Sequence, residues 1–106
     1  GNNWDPAAAN TSGTGARGPA PVGSYARGRT PEGVYDLVGN VWEWTSSPYR
    51  KFGDTTTTTT YYIIRGGAFN AFDRVSTALF RSGADASGPR SGLAATGFRC
   101  AMTARR

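Results

Sequence analysis

The chain has 106 residues, a formal net charge of +5 and no histidine. Its length suits one small domain, and the lack of histidine excludes zinc-finger, Ser-His-Asp, Cys-His and facial-triad sites within this chain. The single cysteine, Cys100, excludes an internal disulfide. It weakly favours a reducing compartment but does not fix the localisation. No apolar run is long enough to predict a membrane span.

The composition predicts a loop-rich domain packed on aromatic side chains, because it combines 15 Gly and 6 Pro with 3 Trp, 5 Tyr and 5 Phe. The basic residues are 11 Arg and one Lys, and the Arg residues are scattered singly except at the C-terminus. This scatter favours arginines that support loops. Nucleic-acid binding is the weaker alternative, because no basic helix or recognised motif accompanies the charge.

The first third of the chain, residues 1–32, is rich in Gly, Ala, Pro, Asn, Ser and Thr and is predicted to be irregular. Trp4 and Tyr25 lie in it, and large aromatics of this kind are expected to anchor it on a core shared with the later tryptophans. In EGVYDLVG (32–39) the apolar residues recur at i, i+3 and i+4, which predicts a short helix or a turn.

The alternating segment VWEWTS (41–46) predicts a strand with both of its tryptophans on one face. Glu43 lies between them and just after a Gly-Asn turn. Two explanations for this carboxylate are open: it pairs with an arginine such as Arg65 or Arg99, or the turn and the carboxylate together wrap an ion.

The second half contains fewer regular patterns. Residues 47–60 end in six Thr and are expected to form an exposed loop that runs into a strand. YYIIR (61–65) predicts a strand, which the following Gly-Gly pair should interrupt. Residues 68–96 are small and polar with isolated apolar positions, and TGFRCAMT (96–103) predicts a short closing strand.

In this order, the segments WDPAAANTSG, PAPVGSY, GVYDLVGNVWEWTS, IIRGGAF and GFRCA resemble the second half of a formylglycine-generating-enzyme (sulfatase-modifying factor) domain. The resemblance covers nearly the whole chain and implies a single, partial domain over residues 1–106. It implies an α+β fold with low regular secondary structure, of the formylglycine-generating-enzyme type of C-type-lectin-like fold. Because the family domain is longer, apolar surface is expected to be covered by a partner chain or a homo-oligomer.

The resemblance also implies a structural calcium ion. In the family the GNxWEW segment wraps calcium, which prefers six to eight hard oxygen ligands. Carried over, the ligands are the side chains of Asn40 and Glu43 and the carbonyls of Gly39 and Val41. A second family site would use Asn10, but the loop that should supply its acid carries Arg17, whose charge would repel an ion.

The oxidases that the chain resembles use two cysteines after the Gly-Gly pair to hold copper and oxidise a substrate cysteine. Aligned on spacing, those cysteines fall at Ala71 and Ser76, so no catalytic residue is expected in this chain. Cys100 belongs to the GFRC segment and is expected to be a small buried packing residue.

The segment 68–96 is the candidate ligand-binding or variable segment, because small adaptable residues with a few aromatics resemble a paratope. It also resembles the variable proteins of diversity-generating retroelements, and Lys, Glu, Gln, Met and Trp, which their randomised codons cannot encode, are absent from it. Phe72 and Phe80 are either binding anchors or core residues. The predicted binding residues are Asn70, Phe72, Asp73, Arg74, Leu79, Phe80, Arg81 and Asp85.

The sequence therefore predicts a non-catalytic module that binds a protein or glycan surface. The alternative is a fragment of a formylglycine-generating-type oxidase or related enzyme whose catalytic residues lie outside this chain.

Overall fold

The computed structural model describes residues 3–50, 52–55, 61–87 and 94–105. The strands form one four-stranded sheet. Its spatial order is β3-β2-β1-β4, with antiparallel pairing throughout except between β1 and β4. The strands are β1 (Trp42–Pro48), β2 (Tyr61–Arg65), β3 (Arg81–Asp85) and β4 (Thr96–Gly97). The helical elements in these ranges are two 3-10 helices, Ser12–Thr14 and Ala26–Gly28. The prediction of low regular secondary structure is confirmed.

The first two strands confirm the sequence patterns. β1 begins at Trp42 and pairs with β2 through Glu43 opposite Arg65, and the pairing becomes irregular before Pro48. β2 ends at Arg65, since Gly66 and the glycine after it take φ values of 95° and 77°, which a strand cannot accommodate.

The strand β3 was not predicted, because its sequence RSGAD has low β-propensity. It pairs with β2 over its whole length, from Tyr61 opposite Asp85 to Arg65 opposite Arg81. The closing strand is shorter than predicted, with two residues. Residues 56–60, which belong to the run of threonines predicted to lead into β2, lie outside the described residues.

The segment 32–39 forms bends and no helix. Gly33 and Asp36 have φ values of 88° and 56°, and Gly39 and Asn40 follow with 77° and 69°. Left-handed residues at this spacing interrupt the run of right-handed φ that a helix needs, so the apolar periodicity is not realised as a helix.

The interior is built from small residues. Ala68, Ala71 and Ala95 form a buried cluster against which Trp42, Phe69 and Val75 pack. Trp4 is 40% exposed, so the prediction of an aromatic core is wrong for this residue. The exposed large apolar residues are Trp4, Val22, Val34, Leu37, Phe52, Tyr61, Phe72, Leu79, Phe80, Phe98 and Met102. A partner chain that covers them stays a prediction. Within the described part, no helix is long and apolar enough to cross a bilayer.

Candidate functional site

The Gly-Asn turn before β1 is locked by a buried amide pair. Asn10 donates from Nδ2 to the Asn40 Oδ1 at 3.2 Å and to the Gly18 carbonyl at 3.1 Å. The Asn40 side chain also forms two hydrogen bonds with the Ala20 backbone. Its Oδ1 accepts the Ala20 N–H at 2.8 Å, and its Nδ2 donates to the Ala20 carbonyl at 3.2 Å. A Cβ at Gly39 would come within 2.5 Å of the Asn10 carbonyl oxygen, so this approach requires glycine. The turn is therefore held by the N-terminal segment.

Glu43 is bound by Arg99. The Arg99 Nε lies 3.1 and 3.0 Å from the two carboxylate oxygens, and its Nη2 lies 2.6 Å from Oε1. Nη2 also donates to the carbonyls of Tyr35 and Asp36, at 2.9 and 3.2 Å. The hydrogen bond with Glu43 raises the pKa of Arg99, against the opposing effect of its partial burial. One guanidinium thus ties residues 35–36 to β1. The pairing of Glu43 with an arginine is one of the two alternatives that the sequence left open.

A cleft of about 250 Å³ opens beside this ion pair. Its walls combine apolar and charged side chains, and the lining residues are Val22, Asp36, Asn40, Val41, Glu43, Phe98 and Arg99.

Ala71 and Ser76 are both interior positions. Ala71 is 8% exposed, and its backbone donates to Ala68 at 2.9 Å and accepts from Ser12 at 3.1 Å. Ser76 is 1% exposed, and its Oγ donates to the Phe72 carbonyl at 3.1 Å. A Cβ at Gly67 would meet Ser76 at 2.3–2.8 Å, so the Gly-Gly pair and Ser76 pack directly against each other.

The predicted binding residues divide into exposed and crosslinked ones. Asp73 is half-buried and accepts a hydrogen bond from Thr11 Oγ1 at 2.9 Å, which joins the loop to the N-terminal segment. Asp85 is half-buried and accepts from the N–H and hydroxyl of Ser87, each at 2.8 Å. The exposed members are Asn70, Phe72, Arg74, Leu79, Phe80 and Arg81.

The two phenylalanines of this surface have different surroundings. Phe72 is 64% exposed, and the guanidinium of Arg74 lies 5.2 Å from its ring centroid, within cation–π range. Phe80 is 39% exposed and packs on Trp42 with ring centroids 6.1 Å apart. Phe72 has the exposure of an anchor, and Phe80 is shared between the core and the surface.

Comparison with known proteins gives the family. A sequence model described as "Sulfatase-modifying factor enzyme 1-like domain" matches residues 1–104. The chain therefore belongs to this family.

Individual relatives of the domain carry two kinds of name. Inactive C-alpha-formylglycine-generating enzyme 2 of Mus musculus is 34% identical over 100 residues, covering 87% of this chain and 29% of the relative. Hercynine oxygenase of Mycolicibacterium smegmatis is 57% identical over 35 residues, 33% of this chain and 8% of the relative. Hercynine oxygenase of Mycobacterium tuberculosis is 32% identical over 75 residues, 60% of this chain and 18% of the relative. The chain spans less than a third of the length of each.

The side-chain oxygens that are predicted to bind calcium in this sulfatase-modifying factor domain are engaged in hydrogen bonds within the protein. The Asn40 Oδ1 already accepts two N–H groups, and both Glu43 oxygens accept from Arg99. Calcium needs six to eight oxygens with free lone pairs. Among the described residues, no group of three His, Cys, Asp or Glu could hold a metal. The ligand roles of the Gly39 and Val41 carbonyls stay predictions, as does calcium binding.

One further prediction for this domain is wrong. Cys100 is exposed rather than a buried packing residue, because the chain leaves the sheet after Gly97. Two further contacts were not predicted from the sequence: the Thr11–Asp73 crosslink and the hydrogen bond from Arg65 Nη1 to the Ala78 carbonyl at 2.9 Å. Both join segments that are distant in sequence, and no local pattern could have indicated them.

Proposed function

We propose that the chain is part of a non-catalytic ligand-binding module on a C-type-lectin-like scaffold of the formylglycine-generating-enzyme type. The observation that carries the proposal is the chemistry at Ala71 and Ser76, where a methyl and a hydroxyl occupy the interior positions expected for the catalytic thiols. Soft Cu(I) is held by thiolates, which neither group replaces. A relative that matches 87% of this chain is itself named as inactive.

The surface proposed to bind the ligand lies on the loop between β2 and β3. Phe72 and Leu79 are 64% and 90% exposed, and Arg74 stacks on the first of them. Exposed aromatic and arginine side chains are the residue types that carry most binding energy at protein surfaces. The proposed ligand is a protein or glycan surface.

The test uses the full-length protein and two matched variants. We expect Phe72→Ala and Leu79→Ala to weaken binding to a protein or glycan ligand at least about 10-fold, because each removes a contact rather than a packed core residue. Phe52→Ala is the control, since Phe52 is fully exposed and lies outside the loop. Equal binding by all three variants would contradict the proposed surface.

A second candidate is an enzyme fragment, which the matches to hercynine oxygenases favour. The full-length protein would then be an oxygenase or oxidase with its catalytic residues outside this chain. The proposal of a non-catalytic module predicts no oxygen uptake above background with hercynine and a thiol, or with a cysteine-containing peptide and copper. Turnover in either assay would replace the first proposal with the second.

Diversification by a retroelement is the more specific form of the binding proposal. It predicts that copies of the gene differ mainly within residues 68–96. Sequencing many copies from one population tests it, and differences spread evenly over the chain would contradict it.

A further inference from the structure

Three strands place charged residues in one row across the sheet. Glu43 on β1 is opposite Arg65 on β2, and Arg65 is opposite Arg81 on β3. Residues directly opposite each other project from the same face, with Cβ atoms roughly 4.5–5.5 Å apart. Like charges in this position are destabilising, so the Arg65–Arg81 pair requires an explanation.

No acid in the described part of the chain neutralises this pair. Glu43, the acid in the row, is engaged by Arg99 through three short contacts. Arg99–Glu43 and Arg27–Asp5 are ion pairs within the described part of the chain, and neither of them includes Arg65 or Arg81. Arg65 and Arg81 are both exposed, and Arg65 is steadied by its bond to the Ala78 carbonyl. Two exposed arginines therefore lie opposite each other on neighbouring strands.

An aromatic ring lies next to them on the same face. A Cβ at Gly83 would come within 2.5 Å of the Tyr49 ring, so the ring covers Gly83 on the face that Arg81 shares. Ile63, opposite Gly83, is 8% exposed beneath this region. Residues two apart on a strand are separated by about 6.6 Å, which places the ring beside the arginine pair.

We propose that Arg65 and Arg81 bind the carboxylate or sulfate of an acidic saccharide, whose sugar ring packs beside Tyr49. A guanidinium donates two parallel N–H groups to an oxyanion, and an aromatic side chain offers apolar surface next to a polar tip. Two arginines beside one aromatic ring provide a charged contact and an apolar contact for a single charged sugar. A nucleic-acid backbone is bound by a longer tract of cations. This inference rests on the proposed function, because it names the ligand class of that module.

The experiment titrates the full-length protein with three tetrasaccharides of equal length: one uronate-containing, one sulfated and one neutral. We expect one or both acidic tetrasaccharides to bind, and Arg81→Gln to weaken that binding about 10-fold or more through loss of charge-assisted hydrogen bonds. Arg81→Lys should weaken binding less, since lysine keeps the positive charge but cannot donate two parallel hydrogen bonds. The Arg81 side chain is exposed and forms no hydrogen bond or ion pair with another described residue, so its variants should fold.

The matched control is Arg17→Gln, which removes the same charge from an exposed loop position. It should leave binding within about twofold, as expected for screened charge alone. Equal weakening by Arg17→Gln and Arg81→Gln would overturn the proposal, as would absence of binding to both acidic tetrasaccharides. Single-stranded DNA of equal charge that binds as tightly and depends on Arg81 would also overturn it.

Failure of this inference is distinguishable from failure of the proposed function. A neutral or protein ligand that Phe72→Ala weakens and Arg81→Gln does not would overturn the oxyanion site alone. Oxygen uptake with hercynine or peptide would overturn the non-catalytic module, while saccharide binding through Arg81 would still stand.

Discussion

The arginine that binds Glu43 at one end of the charged row and the pair of arginines at the other end are used differently. Arg99 makes three contacts with Glu43 and two with backbone carbonyls, so its donors are consumed inside the protein. Arg65 and Arg81 lie opposite each other with no acid between them in the described chain.

The same contrast separates two regions. The region around Asn10, Asn40 and Glu43 satisfies its polar groups internally, whereas the exposed residues of 70–81, together with Arg65, present their side chains to solvent. Substitutions in the first should change the free energy of unfolding, and those in the second should change binding.

The largest effect is expected for Asn40→Ala. It removes three side-chain hydrogen bonds at a left-handed φ of 69°. The half-buried N–H and carbonyl of Ala20 lose this partner, and the Nδ2 of the buried Asn10 keeps only its bond to the Gly18 carbonyl. We expect a loss of roughly 3 kcal/mol or more in the free energy of unfolding, measured with urea. Asn70→Ala is the exposed control and should change it by less than about 0.5 kcal/mol. Similar losses in both variants would remove the distinction between the regions.

Gly83→Ala tests how the two regions meet at Tyr49. The added methyl would overlap the ring, and we expect a loss of about 1–3 kcal/mol in the free energy of unfolding as the ring is displaced. Binding of the acidic saccharide should weaken as well. Gly18→Ala is the control, since a Cβ there meets nothing within 4 Å. An unchanged free energy of unfolding in Gly83→Ala would show that the ring does not depend on this contact.

Glu43→Gln separates the ion pair from the calcium prediction. We expect a loss of about 1 kcal/mol in the free energy of unfolding, since the Arg99 pair is partly exposed and screened. The loss should be equal in calcium and in a chelator. A calcium-dependent rise in the wild-type Tm that this variant abolishes would instead establish an ion site at the Gly-Asn turn.

The smallest effect concerns the exposed pair of Asp5 and Arg27. The backbone N–H of Ala7 holds the pKa of the Asp5 carboxyl below its ordinary 3.8, and Arg27 lowers it further, against some desolvation. Because the folded pKa is depressed, the stabilisation is present above pH 3.8 and is lost as pH falls through the folded pKa. The Tm difference between wild type and Asp5→Asn should therefore vanish in acid. Its persistence at low pH would contradict this. NMR titration of Asp5 in Arg27→Gln should show a smaller depression.

The sequence was sufficient for the features that depend on local chemistry. The β-prone residues of 61–65 and the alternation in 41–46 predicted two strands. The paired glycines predicted that the strand at 61–65 ends after Arg65. The order of the motifs indicated the family, which the match over residues 1–104 confirms. The identities of Ala71 and Ser76 are also a fact of the sequence. The alignment of the family's thiols with these two positions stays a prediction.

Tertiary structure alone decided which partners these residues have. β3 forms from a weak sequence because the edge of β2 supplies its hydrogen bonds, and this pairing creates the Arg65–Arg81 juxtaposition. The sequence left open whether Arg65 or Arg99 pairs with Glu43, and the fold places Arg99, 56 residues later, against it. Propensity acts over a few residues, whereas ion pairs and strand register depend on segments that only the folded chain brings together.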